Sequence, residues 1–339
     1  IWALLMPVII LGGIFGGIFT PTESAAVAVV YALLVSLLIY KDIKIKDIPG
    51  IFVDYVIPVA DMNNHMMTFD EAFNPALCGS CKRVIHSEVD ARGGGLSAKD
   101  IISRRAAMEL KGHSVINLGI GVPEGVGVVA DQEGIRDQLT LSIESGPVGG
   151  IPSSGVAFGT SLNPEAILDQ STQFDGYTGG SLDITFLGLA EADRMGNINV
   201  SKFGARVSGA GGFIDITQST KNVVFCGTFT AGGLKTAAEN GKLVIVQEGR
   251  TAKLVEQVQQ ITFNGPYAAK CGQHVLYITE RAVFELRPEG MTLIEIAPGI
   301  DLQTQVLDHM GFVPRIADDL KLMDERIFRD ELMGLSSRG

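Results

Sequence analysis

Hydrophobic and polar positions fall into two unlike patterns along this chain. From Ile1 to Tyr40 the sequence is almost continuously apolar, with no charge before Glu23 and none from Ser24 to Tyr40. As a helix, Thr22 to Tyr40 would be about 28 Å long at ~1.5 Å per residue, close to the ~30 Å hydrocarbon core of a bilayer, so the pattern predicts a transmembrane helix. Ahead of it, Gly12, Gly13, Gly16 and Gly17 permit close packing or a broken helix, and "TPTES" opens the second helix with Pro21 and Glu23 in suitable early positions. A secretion signal is the alternative, against which stand the lack of a basic start and of an initiating Met. Lys41, Lys44 and Lys46 flank the far end, and by the positive-inside tendency the chain beyond them lies in the cytoplasm.

From about Asp47 the pattern alternates. "IPGIFVDYVIPVA" reads as a strand with its preceding turn, "MNNHMMTFDEAFNPALCGS" as irregular, and "ARGGGLSAKD" as a linker. Ser97 can cap a helix through "AKDIISRRAAMELK", with Ile101, Ala106 and Leu110 among its apolar positions. "HSVINLGIG" is then a strand, "VPEGVGVVADQEG" opens a helix, and "QLTLSI" is the next strand. This β-loop-α-β order predicts an α/β fold with an open, mainly parallel sheet and ligands at the carboxyl ends of its strands. Apolar strands broken by glycine-rich loops continue in "YTGGSLDITFLGLAEADRMGNINVSKFG", "SGAGGFIDI" and "VVFCGTFTAGGLK". Any one of these loops is an ordinary turn; together with residues 117–125 and 144–150 they could line one cleft.

Composition narrows the picture. A chain of 339 residues, 46% hydrophobic with 41 glycines, can hold two domains and fits a globular protein rich in tight loops. Residues 1–50 balance three lysines against Glu23, Asp42 and Asp47, so the remainder carries the whole net charge of −11. That sign repels phosphate backbones and argues against a nucleic-acid partner. The four cysteines, Cys78, Cys81, Cys226 and Cys271, are too sparse for a disulfide framework and suggest a reducing compartment. "CGSC" has the spacing of half a zinc site, but no second Cys or His pair occurs downstream at ligand spacing, so no metal is expected.

The candidate chemistry centres on "LTLSIESGPVGGIP", residues 139–152, in which a short apolar strand ends in Glu144 and runs into glycines and prolines. One reading has Glu144 capping a strand end in water above an ordinary turn. The other has the turn holding the carboxylate at the open end of the sheet, where glycines let ligand atoms approach the backbone. In "NLGIGVPEG", Gly119, Gly121 and Gly125 approximate a dinucleotide fingerprint, with Glu144 about where a ribose-binding acid would stand. A nicotinamide or flavin module is therefore a concrete rival. Against it, Glu124 occupies the position of the third glycine, which falls one residue late. Neither His113 nor His274, each preceding a strand, has a recognisable Ser or Cys partner.

Longer motifs carry two resemblances. "PVIILGGIFGGIFTPTESAAVAVVYALLV" resembles a segment near the C-terminus of the large membrane subunit of TRAP-type carboxylate transporters, over residues 1–46. A carrier needs many more spanning segments, so this piece alone is not expected to transport. "RRAAMELKGHSVINLGIGVPEGV", "LSIESGPVGGIPSSGVAFGTSLNPEAI", "GGSLDITFLGLAEADRMGNINVSKFG", "GAGGFIDITQSTKNVVFCGTFTAGGLK", "ITERAVFEL" and "EIAPGIDLQTQVLDHMGF" resemble, in order, the C-terminal half of family I coenzyme A transferases of the acetate or propionate type. The resemblance runs from Ile48 to Phe328, and the opening "IPGIFVDYVIPVADMNNHMMTF" is similar to the end of the first half, most of which is absent from this sequence.

That resemblance implies transfer of CoA between a short-chain acyl-CoA and a free carboxylate, with Glu144 as nucleophile and a glutamyl-CoA thioester as intermediate. Gly119, Ile120, Gly121, Val122 and Pro123 resemble the family's CoA-contacting loop. Gly209, Gly211 and Gly212 fall where it places backbone donors for the thioester oxygen, Asn197 and Asn199 are further candidates, and Glu280 with Arg281 reads as a structural pair. No tightly bound cofactor is implied; CoA is substrate and covalent intermediate. The expected organisation is a membrane segment at 1–46, the end of the first transferase half plus linker at 47–95, and a C-terminal transferase domain at 96–339. Expected partners are acyl-CoA, a short-chain carboxylate and the first transferase half, without which little activity is expected. The enzyme domain is expected in the cytoplasm, with membrane contact through residues 1–40; a homo-oligomer is left open.

Overall fold

The computed structural model describes residues 16, 31, 55, 58, 61, 66–68, 73–83, 95–153 and 155–338. The expected transmembrane helix at Thr22–Tyr40 and the expected strand at 48–60 lie outside the described residues, apart from isolated positions. Among the described residues no helix is long and apolar enough to cross a membrane. The chain divides into two compact units, Ile1–Asn64 and His65–Gly339.

The second unit is built on a ten-stranded sheet. In chain order its strands are β1 (Val115–Leu118), β2 (Thr140–Ser142), β3 (Pro147–Val148), β4 (Ala166–Ile167), β5 (Ile184–Gly188), β6 (Asn222–Cys226), β7 (His274–Ile278), β8 (Ala282–Arg287), β9 (Gly290–Ile296) and β10 (Arg315–Leu322). The spatial order is β10-β9-β8-β7-β6-β5-β1-β2-β3-β4. Neighbours from β7 through β6, β5 and β1 to β2 are parallel, as are β9 and β10, while β3, β4 and β8 join antiparallel. The parallel centre is covered on both faces, which is why Val223, Val224, Phe225 and Cys226 run consecutively buried instead of alternating.

Helix α1 (Ala98–Ala107) begins at Ser97 with a reciprocal capping box to Asp100 and lies against β6 and β7. Helix α2 (Glu124–Gln132) packs beside it so closely that a Cβ at Gly125 would meet the Ser103 hydroxyl. Helices α3 (Gln170–Thr178) and α4 (Phe213–Ser219) pack together, with α4 against β5.

The tail of the chain closes this helical layer. Buried Arg104 donates through Nε to the carbonyl of Ile327 at 3.1 Å, and through Nη2 to those of Arg326 at 2.8 Å and Glu331 at 2.6 Å. Buried Glu133, just after α2, accepts from the backbone N–H groups of Met333 at 2.6 Å and Leu335 at 2.9 Å. Two buried charges are thus each satisfied by backbone of opposite polarity.

Candidate active site

The site lies at the carboxyl ends of the central strands, because parallel crossovers leave that edge to loops alone. Strand β2 ends at Ser142, and Glu144 stands in the turn that returns the chain into β3. This reversal requires glycine: Gly146 has φ +123°, and a Cβ there would run into the Leu168 carbonyl.

Glu144 is partly buried, and among the described residues no side chain or backbone group donates to its carboxylate. Burial therefore pushes its pKa up without an opposing cation. One wall is Gly212, where an added Cβ would sit 2.5 Å from Glu144 Oε2 and 2.7 Å from Phe174 Cζ. The glycine thus lets the backbone at the start of α4 lie directly against the carboxylate, with the Phe174 ring from α3 alongside.

Beneath Glu144 a buried polar network fixes the end of β2. Tyr177 Oη shares a hydrogen bond with Ser142 Oγ at 3.0 Å and accepts from Gln173 Nε2 at 2.9 Å. Gln173 Nε2 also donates to the Ile143 carbonyl at 3.2 Å, and Asn117 Nδ2 to the Ser142 carbonyl at 3.3 Å. Thr185 Oγ1 in turn donates to Asn117 Oδ1 at 3.1 Å. Burial pushes the Tyr177 hydroxyl pKa up, despite its hydrogen bonds, and the neighbouring Glu144 charge adds to the rise.

The residues proposed from sequence are not equivalent in the structure. Gly119 is locked to β5 through its N–H to the Phe186 carbonyl at 2.8 Å, and a Cβ there would sit 2.9 Å from Leu187 Cδ2. Gly121 adopts φ +91° with open space around it, Ile120 is exposed, and Pro123 stands at the N-cap of α2. Val122 directs its carbonyl to Ser103 Oγ at 3.3 Å. Glu124, next in line, has a buried carboxylate oxygen with no donor among the described residues.

Among the three glycines near α4, Gly209 commits its N–H to the Ser201 carbonyl at 3.1 Å and is not available as a donor. The N–H groups of Gly211 and Gly212 have no acceptor among the described residues. Asn197 and Asn199 are engaged in holding their hairpin and the chain packed beside it. Asn197 bonds Asp193 Oδ2 at 3.0 Å and the Gly265 N–H at 3.0 Å; Asn199 bonds Glu191 Oε2 at 2.8 Å, the Lys202 carbonyl at 2.7 Å and two backbone N–H groups. Both act as turn builders.

Glu280 and Arg281, in the turn between β7 and β8, are fully buried and paired at 2.7 Å. Among the described residues no cluster of three or more His, Cys, Asp or Glu could hold a metal, and Cys78 and Cys81 are exposed free thiols. One group escaped the sequence reading altogether. Lys253 projects among the ends of β5 and β6, and nothing in "GRTAKLVEQ" marks it.

Comparison with known proteins adds identity to this geometry. Residues 1–62 match the family model for the tripartite ATP-independent periplasmic transporter, DctM component, reaching past the boundary at residue 46 expected from sequence. The remainder is similar to the acetate CoA-transferase YdiF of Escherichia coli K12, 51% identical over 239 residues, covering 70% of this chain and 45% of that protein. It is also similar to the acetate CoA-transferase subunit beta of the same organism, 30% identical over 220 residues, covering 62% of this chain and 90% of the subunit. Among solved structures, the acyl-CoA transferase YdiF of E. coli O157:H7 in a thioester complex with CoA superposes with a TM-score of 0.67 at 48% identity, covering 72% of this chain and 46% of that one. The chain thus spans about half the length of the single-chain relative.

Proposed function

The chain belongs to the family I coenzyme A transferases, and on that footing we propose that it moves CoA between a short-chain acyl-CoA and a free carboxylate, with Glu144 as the nucleophile. The observation that carries this reading is a partly buried carboxylate at the open end of β2 with no donor among the described residues, and with the Gly212 backbone against its Oε2. A carboxylate is a weak nucleophile in water; withdrawing it from water without pairing it leaves its charge available to attack.

The Glu144 oxygen attacks the thioester carbonyl, the C–S bond breaks, and CoA leaves as thiolate from a mixed anhydride. The thiolate then attacks the glutamyl carbonyl, the anhydride C–O bond breaks, and the first acid departs as its carboxylate. A glutamyl-CoA thioester remains, and the incoming carboxylate reverses both steps. Each addition places negative charge on a carbonyl oxygen; the uncommitted N–H groups of Gly211 and Gly212 are the donors proposed for it. Residues 119–123 would receive the pantetheine arm. No metal or redox group enters these steps.

Because the chain aligns with a beta subunit along nearly all of that subunit's length, a partner supplying the other transferase half is proposed to complete the cleft. With that half added as a separate chain, acetyl-CoA or propionyl-CoA should add the mass of CoA to the peptide containing Glu144. Glu144→Gln should abolish the adduct and leave the fold intact. CoA on another residue, or none with both halves folded, would remove Glu144 from the role. A dinucleotide module would instead bind NAD or FAD saturably with no covalent adduct.

The match of residues 1–62 to a transporter component favours a second reading for that segment alone. We propose that residues 1–40 contact the cytoplasmic membrane and tether the enzyme to its inner face without forming a carrier, since one or two spans cannot enclose a path with all backbone groups satisfied. Saturable, sodium-dependent dicarboxylate uptake by vesicles carrying only this chain would overturn that.

A further inference from the structure

A cavity of about 280 Å³ opens at the carboxyl ends of β5 and β6, beside the loop that comes after β1. Its walls are mostly apolar side chains and backbone, Ile120, Val122, Gly188 and Gly227 among them. Among the described residues the only charged residues lining it are two lysines, Lys99 from the first turn of α1 and Lys253, and no Asp or Glu lines it. Lys253 enters over Gly227, where an added Cβ would sit 2.7 Å from Nζ, so a side chain at 227 would expel the ammonium.

Lys253 has no ion pair among the described residues. Burial pulls its pKa down to about 8, against the opposing pull of Glu280. Glu280 does not pair with it at contact distance; its oxygens accept from Arg281 Nε at 2.7 Å and the Phe229 N–H at 2.9 Å. A largely buried cation without a partner is costly unless an anion arrives from outside the chain.

We propose that this cavity is an anion subsite in which Lys253, assisted by Lys99, holds an oxyanion of the substrate. The inference rests on the transferase reading, which supplies two sources of such a group: the carboxylate of the acid and the phosphates of CoA. The first would make Lys253 a specificity residue for the acid, and the second an anchor for the carrier. Either would seat the anion on the same sheet edge as Glu144 without using the nucleophile itself.

Titration calorimetry on the full chain with the other transferase half supplied as a separate chain distinguishes them, with CoA, pantetheine and propionate as probes against wild type, Lys253→Met and Lys253→Arg. Wild type should bind CoA, and Lys253→Met should weaken one probe at least tenfold. Loss for CoA but not pantetheine identifies a phosphate; loss for propionate identifies the carboxylate. Lys253→Arg should recover part of the affinity. Wild-type affinity for that probe should fall as pH rises through about 8 while Lys253→Met stays flat; the other titratable groups facing Lys253 are Lys99, Glu280 and Cys226. Unchanged binding of all three probes by a Lys253→Met that unfolds cooperatively at or above the wild-type temperature overturns the subsite alone. Failure of wild type to bind either CoA or propionate overturns the transferase reading along with it.

Discussion

Two glutamates at the carboxyl edge of one sheet, Glu144 after β2 and Glu280 after β7, are treated in opposite ways. Glu280 is fully buried, yet Arg281 and the Phe229 N–H satisfy it. Arg281 goes on to bond Glu248 at 2.6 Å and the Gln305 carbonyl at 2.9 Å, and it stacks 4.8 Å above the Phe229 ring. Although burial opposes it, the Arg281 and Thr230 hydrogen bonds hold the Glu248 carboxyl down to about 2. Glu144 is less buried and has no such company. On the proposed reading, depth of burial does not distinguish the nucleophile from the structural carboxylate; the lack of a donor among the described residues does.

The comparison can be broken most forcefully at Arg281. Replacing it with Met should leave Glu280 buried and unpaired and destabilise the unit by about 3–5 kcal/mol, read as a shift in the urea midpoint at constant slope. A change under ~1 kcal/mol would mean that Glu280 is not held by the pair. Gly212→Ala comes next. Its backbone conformation tolerates a side chain, but the new Cβ must displace Glu144 Oε2 or the Phe174 ring. Displacement on the order of 1 Å should cut CoA labelling of Glu144 by about 100-fold with little change in melting temperature. Wild-type labelling rates would remove Gly212 from the carboxylate's wall.

Tyr177→Phe should be milder, costing about 1 kcal/mol for the lost buried hydrogen bonds, with labelling slowed because the end of β2 is less firmly held. If stability falls and labelling does not, the network supports the fold only. The smallest effect concerns pH. Burial raises the Glu144 pKa, so the folded state holds that proton more tightly than the unfolded chain. Its penalty is absent below the ordinary glutamate range, grows as pH rises through the window up to the folded pKa, and is fully present above it. Glu144→Gln should therefore melt slightly higher than wild type at neutral pH and alike in acid, while wild-type labelling increases with pH across the same window. Equal melting temperatures at both pH values would mean that Glu144 is solvated after all.

Local features were legible in the sequence and convergent ones were not. Ser97 announces α1 because a cap is a contact between residues three apart, and the β1-α2-β2 unit can be read from alternation over a short span. Glu144 stands out because a charge is strange between an apolar strand and glycines. The neighbouring Gly212 was visible only as part of a motif, and a motif does not say that Gly209 has already committed its N–H to Ser201. Asn197 and Asn199 look alike for ligand binding and for turn building until their partners are known. Lys253 was invisible, since its cavity gathers walls from α1 and from the ends of three strands far apart in sequence.

The clamp on the tail carries a consequence for how the chain is made. Arg104 and Glu133 lie 223 and 202 residues from their partners Ile327 and Leu335. During synthesis both charges emerge from the ribosome long before the backbone that satisfies them, so neither can be buried until residues 326–335 arrive. The nascent unit must keep α1 and the end of α2 open to water until then. A stop codon after Asp324 should release a polypeptide containing every strand of the sheet that nevertheless remains protease-sensitive around α1.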